Sequence, residues 1–179
     1  MSRGDKMGLV ENAFIEANAE NHDSFKWNCT WKLEKFKGRA QDGNLEPKPY
    51  ETIDGKGNIA VTVGITALLN LLTAEAAPTA FSNANGYIAV GSNAAAPAIG
   101  NTTLGTELDR QPMDGVFPTV VDNVCTWKSV FSTGASDGAW EEWGIFNAAA
   151  AGTMLNHASP TLGSKLGGTW NLTVTITVT

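Results

Sequence analysis

Apolar and polar residues alternate along much of this chain, which is the pattern of β-strands with one buried face. The first clear run is SFKWNCTWKLEKFKG, where every second residue from Phe25 to Leu33 is apolar and the residues between are polar. The last run, from Trp170 to Thr179, places its apolar residues on one side and Asn171 with four threonines on the other. Both runs predict half-buried strands.

A third run, GAWEEWGIFNAAAAGTMLN from Gly138 to Asn156, predicts a hairpin with an Ala-Gly turn. Because successive residues of a strand point to opposite faces, one face should carry Trp140, Glu142, Gly144 and Phe146, and the other Glu141, Trp143, Ile145 and Asn147. Large apolar groups on both faces predict a strand that is covered on both sides, inside a sandwich or at a subunit contact.

Two segments of the body carry helical signals instead. The first is NIAVTVGITALLNLLTA, in which one helical face collects the large apolar residues Ile65, Leu68, Leu69 and Leu72. We expect a short helix that ends near Thr73 and plugs one end of the sandwich with these residues. The second is TLGTELDRQP, which predicts a helical turn capped by Thr103 or Thr106.

Residues 1–23 are predicted to form an N-terminal arm. Its apolar residues recur at helical spacing, which predicts a short amphipathic helix between Gly8 and Glu20 with a stripe of Leu9, Val10, Ala13, Phe14 and Ala17. A lone helix of this length is marginal in water. It is therefore expected to dock on its own body, to dock on a neighbouring subunit, or to stay mobile.

Residues 24–179 are predicted to form a single domain, an antiparallel β-sandwich of the jelly-roll kind with seven or eight strands and one or two short helices. The chain has 179 residues, which is enough to bury one sizeable core. Only 17% of its residues are charged and 19 are glycine, a mixture that suits short strands, small-residue turns and surfaces given over to other subunits.

Charge and hydropathy exclude several classes of protein. The net charge of −6 gives the whole chain no electrostatic footprint for nucleic acid. No stretch approaches the roughly 20 apolar residues that span a bilayer, and the N-terminus resembles no secretory signal. We expect a protein made in the cytoplasm that leaves only with an assembly or by lysis. One basic strand, which includes Lys26 and Lys32, predicts either a solvated edge or a contact with an acidic subunit.

The candidate chemistry is sparse. His22 and His157 lie far apart without a spaced partner, so neither a metal site nor a cofactor is predicted. Nucleophile-elbow, phosphate-loop and dinucleotide motifs are absent from the sequence. Glu141 and Glu142 should point to opposite faces, which excludes an acid/base pair between them, and both are interpreted as surface or interface carboxylates. We therefore expect no catalytic residue and no enzyme.

Cysteine and tryptophan allow two interpretations each. Cys29 and Cys125 lie in predicted strands, and buried free thiols are favoured over a disulfide between them. Alternation places Trp27, Trp31 and Trp170 in the core. The other three tryptophans, Trp127, Trp140 and Trp143, could belong to the core, to an interface, or to a platform on which sugars stack.

Several blocks of the sequence together resemble a known group of proteins: NIAVTVGITALLNLL, GYIAVGSNAAAPAIGNTTLGTELDR, WEEWGIFNAAAAGTMLN and GTWNLTVTITVT. In this order they are similar to small virion proteins of tailed bacteriophages, of the β-sandwich head-decoration or fibre type. The resemblance covers Phe25 to Thr179 and leaves the N-terminal arm outside. It carries over no catalytic motif.

What the resemblance implies is a virion protein without enzymatic activity. The expected role is a decoration (cement) protein on the outer surface of the head shell, with the major capsid protein and copies of itself, as a homotrimer, for partners. Candidate locks are the arm and the loops 76–85 and 92–103. Candidate assembly contacts are Leu9, Val10, Phe14, Lys26, Lys32, Glu107, Arg110, Trp140 and Trp143. The alternative is a neck or tail fibre module that binds a cell-surface glycan through an exposed Trp127, Trp140 or Trp143.

Overall fold

The computed structural model describes residues 25–37 and 48–179, which contain twelve strands and one helix. The predicted arm helix and its residues Leu9, Val10 and Phe14 lie outside these residues, as does the predicted domain boundary at residue 23. In chain order the elements are β1 (Trp27–Phe36), β2 (Glu51–Lys56), β3 (Ile59–Ala60), α1 (Thr62–Thr73), β4 (Tyr87–Gly91), β5 (Glu107–Pro112), β6 (Thr119–Val121), β7 (Val124–Phe131), β8 (Gly138–Trp140), β9 (Glu142–Phe146), β10 (Met154–Ala158), β11 (Gly163–Lys165) and β12 (Thr169–Val178).

The strands form two five-stranded antiparallel sheets and a short ribbon. The first sheet has the order β2-β1-β12-β7-β6, and the second has the order β3-β10-β9-β4-β5. The ribbon pairs β8 with β11. The predicted antiparallel β-sandwich is confirmed, because the two sheets share one hydrophobic core. The two most regular alternating runs become neighbours, since β1 pairs with β12 from Trp27↔Val178 to Phe36↔Thr169.

The main core lies between the two sheets. Its residues from the first sheet include Leu33, Trp127 and Leu172, and those from the second include Ile88 and Ile145. A second, smaller cluster covers the other face of the second sheet and consists of Val61, Ala89, Leu104, Phe146 and Met154. Strand β9 lies between the two clusters and all five of its residues are buried. The sequence therefore correctly predicted that this strand is covered on both sides.

The face assigned to Trp140 was wrong. Alternation placed this ring on the side of Phe146, but it packs in the main core with Trp143 and Ile145. The reason is a break in the strand at Glu141, between β8 and β9, where the Glu141 N–H donates to Gly91 O at 2.8 Å. Alternation does not continue across such an interruption, so the residues before and after it cannot be assigned to faces together.

Helix α1 lies against β10 with the opposite face from the one predicted. Its buried residues are the small ones, Gly64 and Ala67, while the large apolar side chains point outward. A Cβ atom at Gly64 would lie 2.6 Å from Leu155 Cα, so only glycine lets the helix approach β10 this closely. The expected plug of large apolar residues is therefore not formed. Within the described residues, no helix is long and apolar enough to cross a membrane.

The segment from Glu107 to Pro112 is strand β5 rather than the predicted helical turn. It pairs with β4 from Tyr87↔Pro112 to Gly91↔Glu107 at one edge of the second sheet. Tertiary pairing overrides the local helical signal here, as it commonly does in strands whose own sequence lacks alternation.

Candidate functional site

Three polar side chains meet on the second sheet, beside the loop that connects β4 to β5. Glu142 begins β9, His157 lies in β10, and Asn101 belongs to the loop. The antiparallel register pairs His157 with Gly144, two residues beyond Glu142, so the two side chains share one face of the hairpin. Glu142 and His157 are almost completely buried. We call these three residues the Glu142 cluster.

The carboxylate of Glu142 holds the loop by its backbone. Its Oε1 accepts hydrogen bonds from the N–H groups of Thr106 at 2.8 Å and Asn93 at 3.3 Å. Its Oε2 accepts one from Gly105 N–H at 2.9 Å and lies 2.9 Å from His157 Nε2. Four contacts use all the lone-pair positions that a carboxylate offers. The group is saturated by the protein itself.

Both ring nitrogens of His157 face oxygen atoms. Its Nε2 faces the Glu142 carboxylate, and its Nδ1 lies 3.0 Å from Asn101 Oδ1. That amide oxygen also accepts the Ala98 N–H at 2.6 Å, which fixes the oxygen rather than the nitrogen of Asn101 at this position. The ring therefore links the buried carboxylate to the loop through Asn101.

An open cavity of about 330 Å³ adjoins the Glu142 cluster and is lined by Asn93, Gly100, Asn101, Thr103, Glu142 and His157 among others. The cavity does not turn the cluster into a catalytic centre. A general base needs a free lone pair that can reach a substrate proton, and those of Glu142 are occupied. The cluster instead anchors the loop between β4 and β5 to the sheet.

Two sequence interpretations are corrected at this cluster. Glu142 is neither a surface nor an interface carboxylate, because it is buried, whereas Glu141 is half-buried. His157 does have a charged partner, which the hairpin register brings beside it from 15 positions away. Among the described residues, no three His, Cys, Asp or Glu side chains gather as a metal site would require.

Glu107 and Arg110, which were predicted as assembly contacts, form an ion pair within one chain. Arg110 donates to both carboxylate oxygens of Glu107, at 2.7 and 2.6 Å. Its other nitrogen donates to the carbonyl oxygens of Ala148 and Ala151, and its guanidinium lies 4.0 Å from the centre of the Phe146 ring. The guanidinium connects β5 to the β9–β10 turn, and its hydrogen bonds are made within one chain.

The tryptophans of the predicted sugar platform are inside the molecule. Trp140 and Trp143 are completely buried and Trp127 nearly so. The Trp140 ring packs edge-on against Phe131 and Trp170, with centroids 4.7 and 4.9 Å away. None of the three rings is available to stack on a sugar. Trp140 and Trp143 are also unavailable as assembly contacts.

Lys26 and Lys32 are exposed, as a contact with another subunit would need. The two cysteines are free thiols. Cys29 and Cys125 are each paired with Ile176, from either side of β12. Burial raises the pKa of Cys29 to about 12 and that of Cys125 to about 11.

The free edge of the first sheet carries an unusual apolar surface. Strand β6 is the last strand of that sheet, and in the described part of the chain β7 is its only strand neighbour. Val116, Val120 and Val121 are 78%, 70% and 67% exposed. No charged residue lies between Asp114 and Asp122. We call these three valines the β6 edge.

Searches against models of protein families, against curated proteins and against solved structures find no match to this chain.

Proposed function

We propose that this protein is a structural component of a tailed-phage virion, a decoration protein that binds the outer surface of the head shell and stabilises contacts between major capsid subunits. The observation that carries the proposal is the β6 edge. An exposed sheet edge with apolar side chains is a template for contact with another chain, and soluble proteins usually protect such edges with charges or prolines.

The character of this edge suits a permanent partner. Its three valines offer apolar surface, and the unpaired backbone groups of β6 offer hydrogen bonds to an added strand. A shell protein functions while it is bound to the shell, and its apolar edge is then covered by the partner. We therefore expect a shell protein to use such a contact. Asp114 and Asp122 flank the edge and define its limits.

The Glu142 cluster supports a non-enzymatic role. The hydrogen bonds of its buried carboxylate hold a loop in place, and an anchored loop is what a rigid attachment surface needs. The buried tryptophans remove the observation that motivated a glycan-binding fibre module, so that alternative has no feature in its favour.

The test is reconstitution on head shells that lack the protein. The wild type should occupy the shells to saturation and raise their melting temperature. Val120→Lys with Val121→Lys should reduce occupancy at least tenfold, because two charges would be buried at the contact.

Leu166→Lys is the matched control, since Leu166 is also an exposed apolar residue but lies in the turn before β12, away from β6. It should bind like the wild type. Failure of the wild type to bind shells, or equal binding by the valine variant, would contradict the proposal.

A further inference from the structure

Helix α1 presents an apolar stripe to solvent. Ile65, Leu68, Leu69 and Leu72 recur at the i, i+3, i+4, i+7 spacing of one helical face, and all four are exposed, Leu72 to 82%. No charged residue lies between Lys56 and Glu75. A globular helix normally turns such a stripe toward its core. Here the core side is made of Gly64 and Ala67, so the stripe lacks a partner in the described part of the chain.

The size of the stripe limits what can cover it. It exposes on the order of 400 Å² of apolar surface, whereas a stable protein–protein interface takes about 800 Å² from each partner. The stripe is therefore too small to hold a second folded domain by itself. It is large enough for one short amphipathic helix.

We propose that residues 8–20 of the same chain form that helix and dock on α1. Their apolar residues, from Leu9 to Ala17, extend over eight positions, or about 12 Å of helix. The stripe of α1, from Ile65 to Leu72, extends over about 11 Å. The two apolar stripes match in length, and the glutamates of the segment, Glu11, Glu16 and Glu20, are not among its stripe residues. Docking also supplies the stability that so short a helix lacks alone.

The point at which the chain enters the fold favours docking within one molecule. Trp27 Nε1 donates to Asn58 Oδ1 at 2.9 Å, and Asn58 lies four residues before the first residue of α1. The chain thus enters the sandwich beside the start of α1. The five Cα–Cα steps from Glu20 to Phe25 can extend about 17 Å. Such a short tether gives the segment a high effective concentration at its own α1.

The first experiment measures hydrogen exchange of the α1 amides in the full-length chain, free of any particle. Phe14→Asp should make these amides exchange about tenfold faster, because a charge on the apolar face of the 8–20 segment prevents docking. Wild-type protection should not change on tenfold dilution. Leu166→Asp is the matched control, since it places a charge on another exposed apolar residue, and it should leave α1 unchanged.

The second experiment tests which molecule supplies the segment. Ala13→Cys with Leu68→Cys should form a disulfide within the monomer under mild oxidation, and Ala13→Cys with Val116→Cys should not. Disulfides that form only between molecules would overturn docking in cis. Unchanged exchange in Phe14→Asp would overturn docking altogether. Neither result depends on shell binding, so the two proposals can fail separately.

Discussion

The loop between β4 and β5 has no regular secondary structure of its own, yet three of its backbone N–H groups converge on one carboxylate, that of Glu142. Every residue except proline supplies a backbone donor, so the specificity of this contact belongs to the carboxylate. The ring of His157 connects the buried carboxylate to Asn101. A single side chain therefore binds three of the loop's backbone N–H groups.

Replacing the Glu142 carboxylate should disorder most of the loop between β4 and β5. In Glu142→Gln an amide NH₂ faces buried backbone donors, which lose their acceptor. Leaving a buried donor unsatisfied costs about 1–3 kcal/mol, so urea unfolding should show a loss of at least this size. The amides of Gly105 and Thr106 should exchange faster.

Glu141→Gln is the control for this change. Glu141 is adjacent, carries the same side chain and is only half-buried, so its replacement should change the free energy of unfolding by less than about 0.5 kcal/mol. Equal losses in the two variants would show that the backbone contacts of Glu142 do not stabilise the fold.

Lys165 anchors a different turn, and its contacts predict a sensitivity to acid. Its buried Nζ donates to Ser132 O, Ala135 O and Asp137 Oδ1. A hydrogen bond from Gly167 N–H, and then the contact with Lys165, lower the pKa of Asp137 below its ordinary value of 3.8. A carboxyl group with a lowered pKa stabilises the fold above its ordinary pKa, and this contribution disappears as the pH falls through the folded-state value.

Asp137→Asn should therefore flatten the acid side of the stability curve. Between about pH 5 and pH 2 the wild type should lose more free energy of unfolding than the variant. Chemical denaturation at several pH values measures the difference. Parallel curves for the two proteins would mean that Asp137 is not coupled to folding.

These polar contacts could not be read from the sequence. Alternation assigns charged residues to solvent by default, so it does not identify Glu142, His157 and Lys165 as buried. Pairing Glu142 with His157 requires the register of the β9–β10 hairpin, and that register shifts at a bulge between Met154 and Asn156. A one-residue error in register changes which side chains share a face.

At the scale of elements, α1 shows how small residues decide which face of a helix is buried. A count of apolar residues favours the stripe of Ile65, Leu68, Leu69 and Leu72, and this count gave the wrong orientation. Close packing on β10 is possible only where no side chain intervenes, which selects Gly64 and Ala67. The sequence predicted where the helix ends, at Thr73, but contained no measure of how closely it packs.

Gly64→Ala should consequently destabilise the protein. In most helices alanine is favoured over glycine by about 1 kcal/mol, but here the added methyl group would lie 2.6 Å from Leu155 Cα and 2.7 Å from Met154 O. The expected loss is about 1–3 kcal/mol, as for overpacking, and thermal unfolding measures it.

Thr66→Ala on the exposed side of the same helix is the control. Helix propensity alone acts there, and it should raise stability by a few tenths of a kcal/mol. An increase of similar size in Gly64→Ala would contradict the close contact between α1 and β10.

Strand prediction succeeded where a strand has one solvent-exposed face. β1 and β12 alternate regularly, and their pattern alone identified them. β5 was missed because ELDRQP has no alternating pattern, and its pairing with β4 depends on residues about 20 positions earlier in the chain.

At the scale of the whole molecule, the pKa values of the two free thiols report how well the sandwich excludes water. Burial raises the pKa of Cys29 to about 12 and of Cys125 to about 11, from an ordinary 9.0. The unfolded chain therefore releases thiol protons, above about pH 9, that the folded protein retains. Stability contributed by a raised thiol pKa is complete below that pH and is lost as the pH rises toward the folded values.

Unfolding by urea at about pH 8 and pH 10 tests this alkaline dependence. Each thiol should contribute up to about 1.4 kcal/mol per pH unit to the fall in stability. Cys29→Ala with Cys125→Ala should lose less stability between the two pH values than the wild type. An identical fall in the double variant would show that other groups cause it.

The partnership of β1 with β12 also determines the order in which the fold can assemble. Asn28 and Thr179 lie 151 positions apart, yet their side chains meet at 3.4 Å. Contacts this distant must wait for the closure of a very large loop, which makes folding slow. The β9–β10 hairpin closes a short loop and can form early. We therefore expect the β9–β10 hairpin to form early and the pairing of β1 with β12 to complete late, so that substitutions along β12 change the unfolding rate more than the folding rate.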